Sequence, residues 1–200
     1  GFSNATASES PAPGGGSVSA YMGSLGAALG TMVANLSSHK RGWDDRWDEF
    51  SDWADKGIAL QAELISLVDE DTDAFNKIME AFKLPKTNEE EKKRRKHAIQ
   101  DANKNAILVP YRIMETAYRA LEVIEAMVDE GLPSSVTDAG VGALAVRSAV
   151  KGAFLNVRIN SNDLDDSQFV HDIIQKGKEI EQKTEKKEKE ILEKVEKRVM

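Results

Sequence analysis

The sequence contains no cysteine, which excludes disulfides, thiolate metal ligands and cysteine nucleophiles. Its three histidines are too scattered for a zinc-ligand spacing, and we expect no bound metal. Basic residues are not in excess either, because 27 lysines and arginines stand against 34 aspartates and glutamates. A nucleic-acid-binding protein needs a basic face, so we expect no nucleic-acid partner. The lack of cysteine fits a reducing compartment, and we expect the protein to be cytoplasmic.

A long hydrophobic run is also lacking. The charge-free stretch 18–36 approaches the ~20 apolar residues of a membrane span, but serines, glycines, a threonine and an asparagine interrupt it. It has no basic segment before it of the kind that opens a signal peptide. We interpret it as a helix buried inside a bundle and expect no membrane association.

What the sequence does contain is helical periodicity along most of its 200 residues, with 40% apolar and 30% charged residues. We find no run of alternating strand residues. We therefore predict a single all-α domain over 1–200, an antiparallel up-and-down bundle of five to six helices with two small-residue helices at its centre. Within it, 1–16 form an N-terminal segment with a glycine-rich turn, and 165–200 form the C-terminal helix.

The first helix is predicted to start at Ser17 as N-cap and to end near Ser38. A second, very long helix is either continuous or broken near the acidic run 69–73. Its apolar stripe includes Phe50, Ala54, Ile58, Ile65, Val68, Phe75, Met79 and Phe82. A third begins near Glu89, and Pro110 is expected to kink or divide it. Asp138 is predicted to cap another small-residue helix. The charged middle of the last helix, 182–190, is expected to project from the body or to pair with another subunit.

The turn from Pro11 to Ser17 carries three successive glycines, Gly14, Gly15 and Gly16. Bare glycine N–H groups before a helix can seat a carboxylate or a phosphate. A purely structural tight turn would have the same composition, so both interpretations stay open. The turn is not a nucleotide-binding loop, because it lacks a preceding strand and a Gly-Lys-Ser/Thr ending.

Four residues spaced by four, Ser148, Gly152, Asn156 and Asn160, share one helix face. The two asparagine amides either fix helix register or hydrogen-bond a heterocycle, since a buried amide needs a partner. Asp69 and Asp73 are also four apart, and they are either solvated or a proton-sharing pair. Lys40 either complements the end of the first helix or meets an acidic ligand.

Taken together, these segments resemble the cyclodeaminase/cyclohydrolase family, found as the C-terminal half of formiminotransferase-cyclodeaminase and as free-standing proteins. The matching stretches are Ser10–Ser17, Met32–Leu36 with Lys40, Asp71–Asn76, Leu84–Lys86, Val109–Pro110, Thr137–Gly142 and Asn156–Asn160. They cover nearly the whole chain in order. The resemblance departs in one loop, where Leu132–Ser135 lacks two asparagines expected before the Thr-Asp pair.

The resemblance implies a helical homodimer that acts on tetrahydrofolate one-carbon adducts, without a bound cofactor and within histidine degradation. The implied reaction closes 5-formiminotetrahydrofolate to 5,10-methenyltetrahydrofolate with loss of ammonia, the formimino substrate coming from a separate formiminotransferase. The alternatives are hydrolysis of 5,10-methenyltetrahydrofolate or a non-catalytic folate-binding module. Asp73 and Asp138 are the implied proton donors. The implied folate-binding residues are Gly14, Gly15, Gly16, Ser17, Asn35, Lys40, Asn156 and Asn160.

Overall fold

The computed structural model describes residues 1–199, and α-helices account for most of them. The helices are α1 (Phe2–Thr6), α2 (Gly15–Ser38), α3 (Trp47–Lys83), α4 (Glu89–Glu130), α5 (Val136–Asn160) and α6 (Ser167–Val199). No strand occurs within this part of the chain. The predicted all-α class is confirmed. Among the described residues, no helix is both long enough and apolar enough to cross a membrane.

The five long helices run up and down, each antiparallel to the next. Ion pairs mark this order on the surface: on α3 and α4, Arg119 pairs with Glu63 and Arg112 with Glu70, so the numbering runs in opposite directions. The pairs Arg147–Glu185 and Lys151–Glu181 do the same for α5 and α6. The predicted bundle topology is therefore confirmed.

The small-residue helices α2 and α5 cross where neither has a side chain. A Cβ at Gly26 would lie 2.8 Å from the carbonyl oxygen of Gly142, and one at Gly142 would lie 3.1 Å from that of Gly26. The predicted small face of α2 is buried along its length; it consists of Ser19, Gly23, Gly26, Gly30 and Ala34. This backbone contact fixes α2 relative to α5, and the glycine turn lies at the N-terminal end of α2.

The core-facing stripe of α3 differs from the predicted one. Phe50 and Ala54 are buried as expected, but after them the stripe moves one position back along the sequence. The buried positions are Gly57, Leu60, Leu64, Leu67, Ala74 and Ala81. Ile58, Ile65, Met79 and Phe82, predicted to be core, are exposed. The long helix presents apolar residues on two adjacent faces, and packing against α2 and α4 selects the leucine face.

Two predicted N-caps are corrected by the backbone. The helix α2 begins at Gly15 with Gly14 as its N-cap, so Ser17 lies inside its first turn. The hydroxyl of Ser17 donates to Asp71 and does not cap the helix. Asp138 is the third residue of α5 rather than its cap, and its carboxylate sits at the positive end of the helix dipole. Of the two alternatives for the long second helix, the continuous one is observed, because α3 runs through the acidic run 69–73 without a break.

The helix α4 is also continuous from Glu89 to Glu130, with Pro110 buried inside it. Proline has no N–H, so the carbonyl of Ala106 loses its usual helical donor. The Nδ2 of Asn160 on α5 donates to that oxygen at 2.7 Å. A side chain from the neighbouring helix thus replaces the missing backbone bond, and Pro110 neither divides the helix nor leaves this carbonyl unpaired.

The last helix lies on the body rather than projecting from it. Thr184, in the middle of the charged stretch, is fully buried, and Ile173, Gly177, Ile191 and Val195 are buried on the same side. Lys187 and Lys194 both pair with Glu125 of α4. These contacts hold the charged middle of α6 against α4 and α5.

Candidate functional site

The glycine turn forms one wall of a cavity at one end of the bundle. The Oγ of Ser10 donates to the carbonyl of Ala12 at 2.6 Å, which folds the chain back before the helix starts. The cavity beneath the turn has a volume of about 210 Å³. Its other walls are the α3 segment 71–78, Ala106 of α4, and Asn156 and Asn160 of α5. Four parts of the chain that are distant in sequence therefore meet at one place.

Gly16 must lack a side chain because a carboxylate occupies the space. A Cβ there would lie 2.5 Å from the Cγ of Asp71 and 2.6 Å from its Oδ2. The next residue, Ser17, donates its hydroxyl to the same Oδ2 at 2.8 Å. The turn thus serves to bring the backbone against Asp71, which is a different role from seating an external anion.

Burial raises the pKa of Asp71 above its ordinary value, while the hydrogen bonds from Ser17 oppose this by stabilising the charged form. The other acids of α3 that face α4, Glu63 and Glu70, each have an arginine partner. Among the residues that line the cavity, Asp71 alone is titratable, and no cationic side chain within residues 1–199 pairs with it. A carboxyl group in such a setting can keep its proton to a higher pH than a solvated aspartate.

The two predicted asparagines line the cavity and also bind the protein. Asn160 donates to Ala106 of α4, as described above, and Asn156 donates through Nδ2 to the carbonyl of Gly152 at 2.9 Å. A Cβ at Gly15 would lie 3.2 Å from the Nδ2 of Asn156, so the turn and this amide are in contact. The hydrogen bond between helices that the structural interpretation requires is present for Asn160 but not for Asn156, which bonds within its own helix. The place of both amides on the cavity wall leaves the ligand-binding role open.

The remaining predicted site residues lie elsewhere. The helices α2 and α5 are antiparallel, so Gly15 faces Asn156 at one end, while Val33 faces Gly131 near the start of α5 at the other. Asn35 and Lys40 therefore lie about 28 Å or more from Gly16, at 1.5 Å per residue along α2, and Asp138 lies at their end. Within a single chain the predicted site residues therefore do not form one cluster, because antiparallel packing separates them.

The divergent loop lies at that far end too. The N–H of Leu132 donates to Ser37 Oγ at 2.8 Å, and Ser37 is in the last turn of α2. Leu132–Ser135 therefore does not line the cavity within one chain. Its difference from the family pattern therefore lies outside the glycine-turn cavity of the same chain.

Of the acids in the run 69–73, Asp71 rather than Asp73 lines the cavity; Asp73 is exposed. The proton-donor role of Asp73 stays a prediction, whereas Asp71 was missed as a site residue. A signal for it was present: Leu60, Leu64 and Leu67 continue with Asp71 and then Ala74 at spacings of three and four. A lone carboxylate in line with buried leucines indicates a functional site. The stripe predicted for α3 was shifted by one position and therefore did not include Asp71.

The chain is similar in sequence and in structure to several known proteins. The profile of the family described as formiminotransferase-cyclodeaminase matches residues 1–196. A methenyltetrahydrofolate cyclohydrolase of Methylorubrum extorquens is 33% identical over 171 residues, which are 86% of this chain and 82% of that protein. A formimidoyltransferase-cyclodeaminase of Mus musculus is 37% identical over 169 residues, which are 84% of this chain and 31% of the mouse protein. The crystal structure of a formiminotetrahydrofolate cyclodeaminase of Thermotoga maritima superposes with a TM-score of 0.86 at 26% identity, covering 100% of this chain and 96% of that one.

Proposed function

Because the chain belongs to the formiminotransferase-cyclodeaminase family, we propose that it is an enzyme of one-carbon folate metabolism, a 5-formiminotetrahydrofolate cyclodeaminase. Its product is 5,10-methenyltetrahydrofolate, and ammonia is released. The observation that supports this is the cavity under the glycine turn, which combines two side-chain amides with one carboxyl group that has no cationic partner. Amides suit a neutral heterocycle and an unpaired carboxyl suits proton transfer, whereas phosphate chemistry would call for cations.

The size of the cavity favours a partial fit of the substrate. At about 210 Å³, it is smaller than the roughly 300–1,000 Å³ of pockets for drug-sized ligands. We propose that it takes the reacting end of the folate. A shallow groove on the outside of α5 shares Asn156 with the cavity and carries Leu155, Ile159 and Arg158. Its apolar side chains suit the aminobenzoyl ring, and the arginine suits the carboxylates of the glutamate tail.

A second candidate is 5,10-methenyltetrahydrofolate cyclohydrolase. It is favoured by the Methylorubrum relative, which carries that name and matches over most of both chains. Both reactions pass through a tetrahedral carbon between N5 and N10, so the same cavity serves either one. The difference is whether ammonia leaves or water enters.

Incubation of the purified protein with each folate tests the proposal, because the methenyl compound absorbs where the formimino substrate does not. Growth of the methenyl absorbance from 5-formiminotetrahydrofolate is the expected result. Accelerated loss of the methenyl absorbance, with no deamination, would favour the hydrolase. No catalysis of either reaction would contradict both and leave the non-catalytic folate-binding module.

We further propose that the protein acts as a homodimer through the outer faces of α2 and α5. These faces carry exposed apolar side chains that no helix of the described chain covers: Leu25, Met32, Leu36, Val141 and Leu144. A contiguous apolar surface of this kind is typical of a protein interface. A second copy is the natural occupant, because two-fold association pairs the same face with itself.

A two-fold axis perpendicular to the helices would join the opposite ends of two copies. The glycine turn of one copy would then lie near Asn35, Lys40 and Asp138 of the other, which would reunite the predicted site residues. Leu25→Glu should yield monomers in light scattering and reduce turnover, whereas Ile58→Glu, at an exposed apolar position of α3, should do neither. A Leu25→Glu monomer with full activity would contradict a shared site.

For the wider context, we propose a cytoplasmic enzyme of histidine degradation that receives its substrate from a formiminotransferase on a separate chain. The name of the mouse relative, which joins the transferase and cyclodeaminase activities, supports the pairing of the two reactions. The measurement is the yield of methenyl product when such a transferase and this protein are mixed. An unchanged yield on addition of this protein would contradict the pairing.

A further inference from the structure

The two ends of the long helix α3 carry opposite charge. Residues 83–97, which span the end of α3, the turn and the start of α4, contain seven lysines and arginines and three glutamates. Residues 44–55, at the other end of α3, contain six aspartates and glutamates and one arginine. We call these segments the basic end and the acidic segment. Trp47 and Lys83, the first and last residues of α3, lie about 54 Å apart, so the two segments cannot pair within one chain.

The basic end carries cations that the chain itself does not neutralise. Lys92 pairs with Glu89, and Lys96 pairs with Asp165. No ion pair within residues 1–199 engages four further cations, all of them exposed: Lys83, Lys86, Lys93 and Arg94. These four charges are available to an acidic partner.

The acidic segment is the counterpart of the basic end. Its one arginine, Arg46, pairs with Glu49. In the described chain no ion pair engages the remaining acids, which are all exposed: Asp44, Asp45, Asp48, Asp52 and Asp55. Trp47 lies among them and is 51% exposed. Tryptophan is among the residue types most enriched at the energetic centres of protein interfaces, so this segment combines negative charge with an apolar anchor.

A groove at the basic end has room for such an anchor. It lies between the end of α3 and the start of α4, and its volume is about 540 Å³. Its lining is apolar in the middle and polar at the rim: Ala81, Leu84, Ala98 and Ala102, then Lys77, Glu80, Asp101 and Asn105. The volume falls within the roughly 300–1,000 Å³ of pockets for drug-sized ligands, and an indole is smaller than such a ligand.

We propose that the basic end of one copy binds the acidic segment of a second copy, with Trp47 lying in the groove between α3 and α4. The two surfaces complement each other twice, because unpaired cations meet unpaired aspartates and an exposed indole meets an apolar groove. A second copy is the occupant that the chain itself supplies, since each copy carries both surfaces at separate ends. The contact lies outside the catalytic cavity, and the inference is independent of the proposed reaction.

This contact is distinct from the proposed dimer face on α2 and α5. In that dimer the two copies would point in opposite directions, so each end of the dimer would present one basic end and one acidic segment. Two dimer ends could then form the contact twice, as a reciprocal pair about a two-fold axis. The contact would depend on ionic strength, because exposed charges interact over about 30 Å at 0.01 M salt and over only about 8 Å at 0.15 M.

Sedimentation velocity of the full chain at about 0.01 M and about 0.5 M sodium chloride tests the proposal. The wild type should form larger species at low salt than at high salt, in amounts that rise with protein concentration. Lys93→Glu/Arg94→Glu should weaken this association by about tenfold or more, because like charges then face each other. The matched control, Lys178→Glu/Lys183→Glu, changes the net charge equally at exposed positions of α6 and should associate as the wild type does.

Two results of this experiment would overturn the proposal. One is a wild type whose sedimentation is the same at both salt concentrations. The other is an equal loss of association in the basic-end variant and in the α6 control, because net charge rather than a defined surface would then govern the behaviour.

A charge exchange tests whether the two surfaces are partners. Asp48→Lys/Asp52→Lys should abolish the larger species when studied alone. Mixing it with Lys93→Glu/Arg94→Glu should restore them, because the basic end of the first variant meets the acidic segment of the second. A mixture that associates no better than either variant alone would overturn the pairing.

Trp47→Ala tests the apolar part of the contact. It should weaken association at low salt by about tenfold or more, as the loss of an interface anchor does, and leave all the charges in place. Trp53→Ala is the matched control, because Trp53 is half-buried against the core of its own chain. Wild-type association of Trp47→Ala would overturn the placement of this indole in the groove.

Discussion

Pro110 and Asn160 form a pair whose coupling can be measured. Pro110 removes the helical donor to the Ala106 carbonyl, and Asn160 Nδ2 supplies the replacement at 2.7 Å. Ala106 is 5% exposed, so Asn160→Ala should leave its oxygen without a partner. We expect a loss of about 1–3 kcal/mol in the free energy of unfolding, the usual cost of a buried unpaired group.

In a Pro110→Ala background the backbone N–H of residue 110 can bond Ala106 again. There Asn160→Ala should cost about 1 kcal/mol less than in the wild type, which is the coupling energy of the pair. Urea denaturation of the four proteins, with midpoints compared at constant m-value, measures this difference. Asn156→Ala is the matched control, since Asn156 bonds Gly152 in its own helix and should show no coupling to residue 110. An Asn160→Ala cost that is equal in both backgrounds would refute the reasoning.

Three further predictions concern two glycines and the partly buried Asp71. Gly16→Ala should displace the Asp71 carboxyl and abolish most turnover. It should change the free energy of unfolding by no more than about 1 kcal/mol, because the higher helix propensity of alanine offsets the lost hydrogen bond. In an Asp71→Asn background, Gly16→Ala should have no further effect on kcat. Gly26→Ala, whose Cβ would meet the Gly142 backbone at 2.8 Å, should cost about 1–3 kcal/mol in urea titrations; a stabilised variant would contradict the close helix contact. The wild type should lose stability as pH rises from the ordinary pKa of an aspartate through the raised pKa of Asp71, because the folded state holds this proton longer. Asp71→Asn should remove that decline, and an unchanged pH profile of stability in this variant would contradict a raised pKa of Asp71.

The arrangement of the site explains which residues the sequence could identify. Gly16 and Asn156 belong to unusual motifs, and both line the cavity. Asp71 stood inside a recognised motif, yet the apolar residues on two faces of α3 made the core face ambiguous by one position. That rotation decides whether a residue at 71 faces the cavity or the solvent. Which face of α3 packs into the core depends on the surfaces of α2 and α4. The periodicity of the α3 sequence holds no information about those surfaces.

The long helices, their order and the small-residue contact of α2 with α5 follow from the sequence, because helical period and glycine spacing are local properties of the chain. The family and its chemistry also follow, through motifs such as 10–17 and 156–160. Tertiary structure decided the rest. Antiparallel packing sent Asn35, Lys40 and Asp138 to the far end, and the choice of core face on α3 brought Asp71 to Gly16. The physical reason is that a helix specifies which residues share a face, whereas the neighbouring helices decide where that face points.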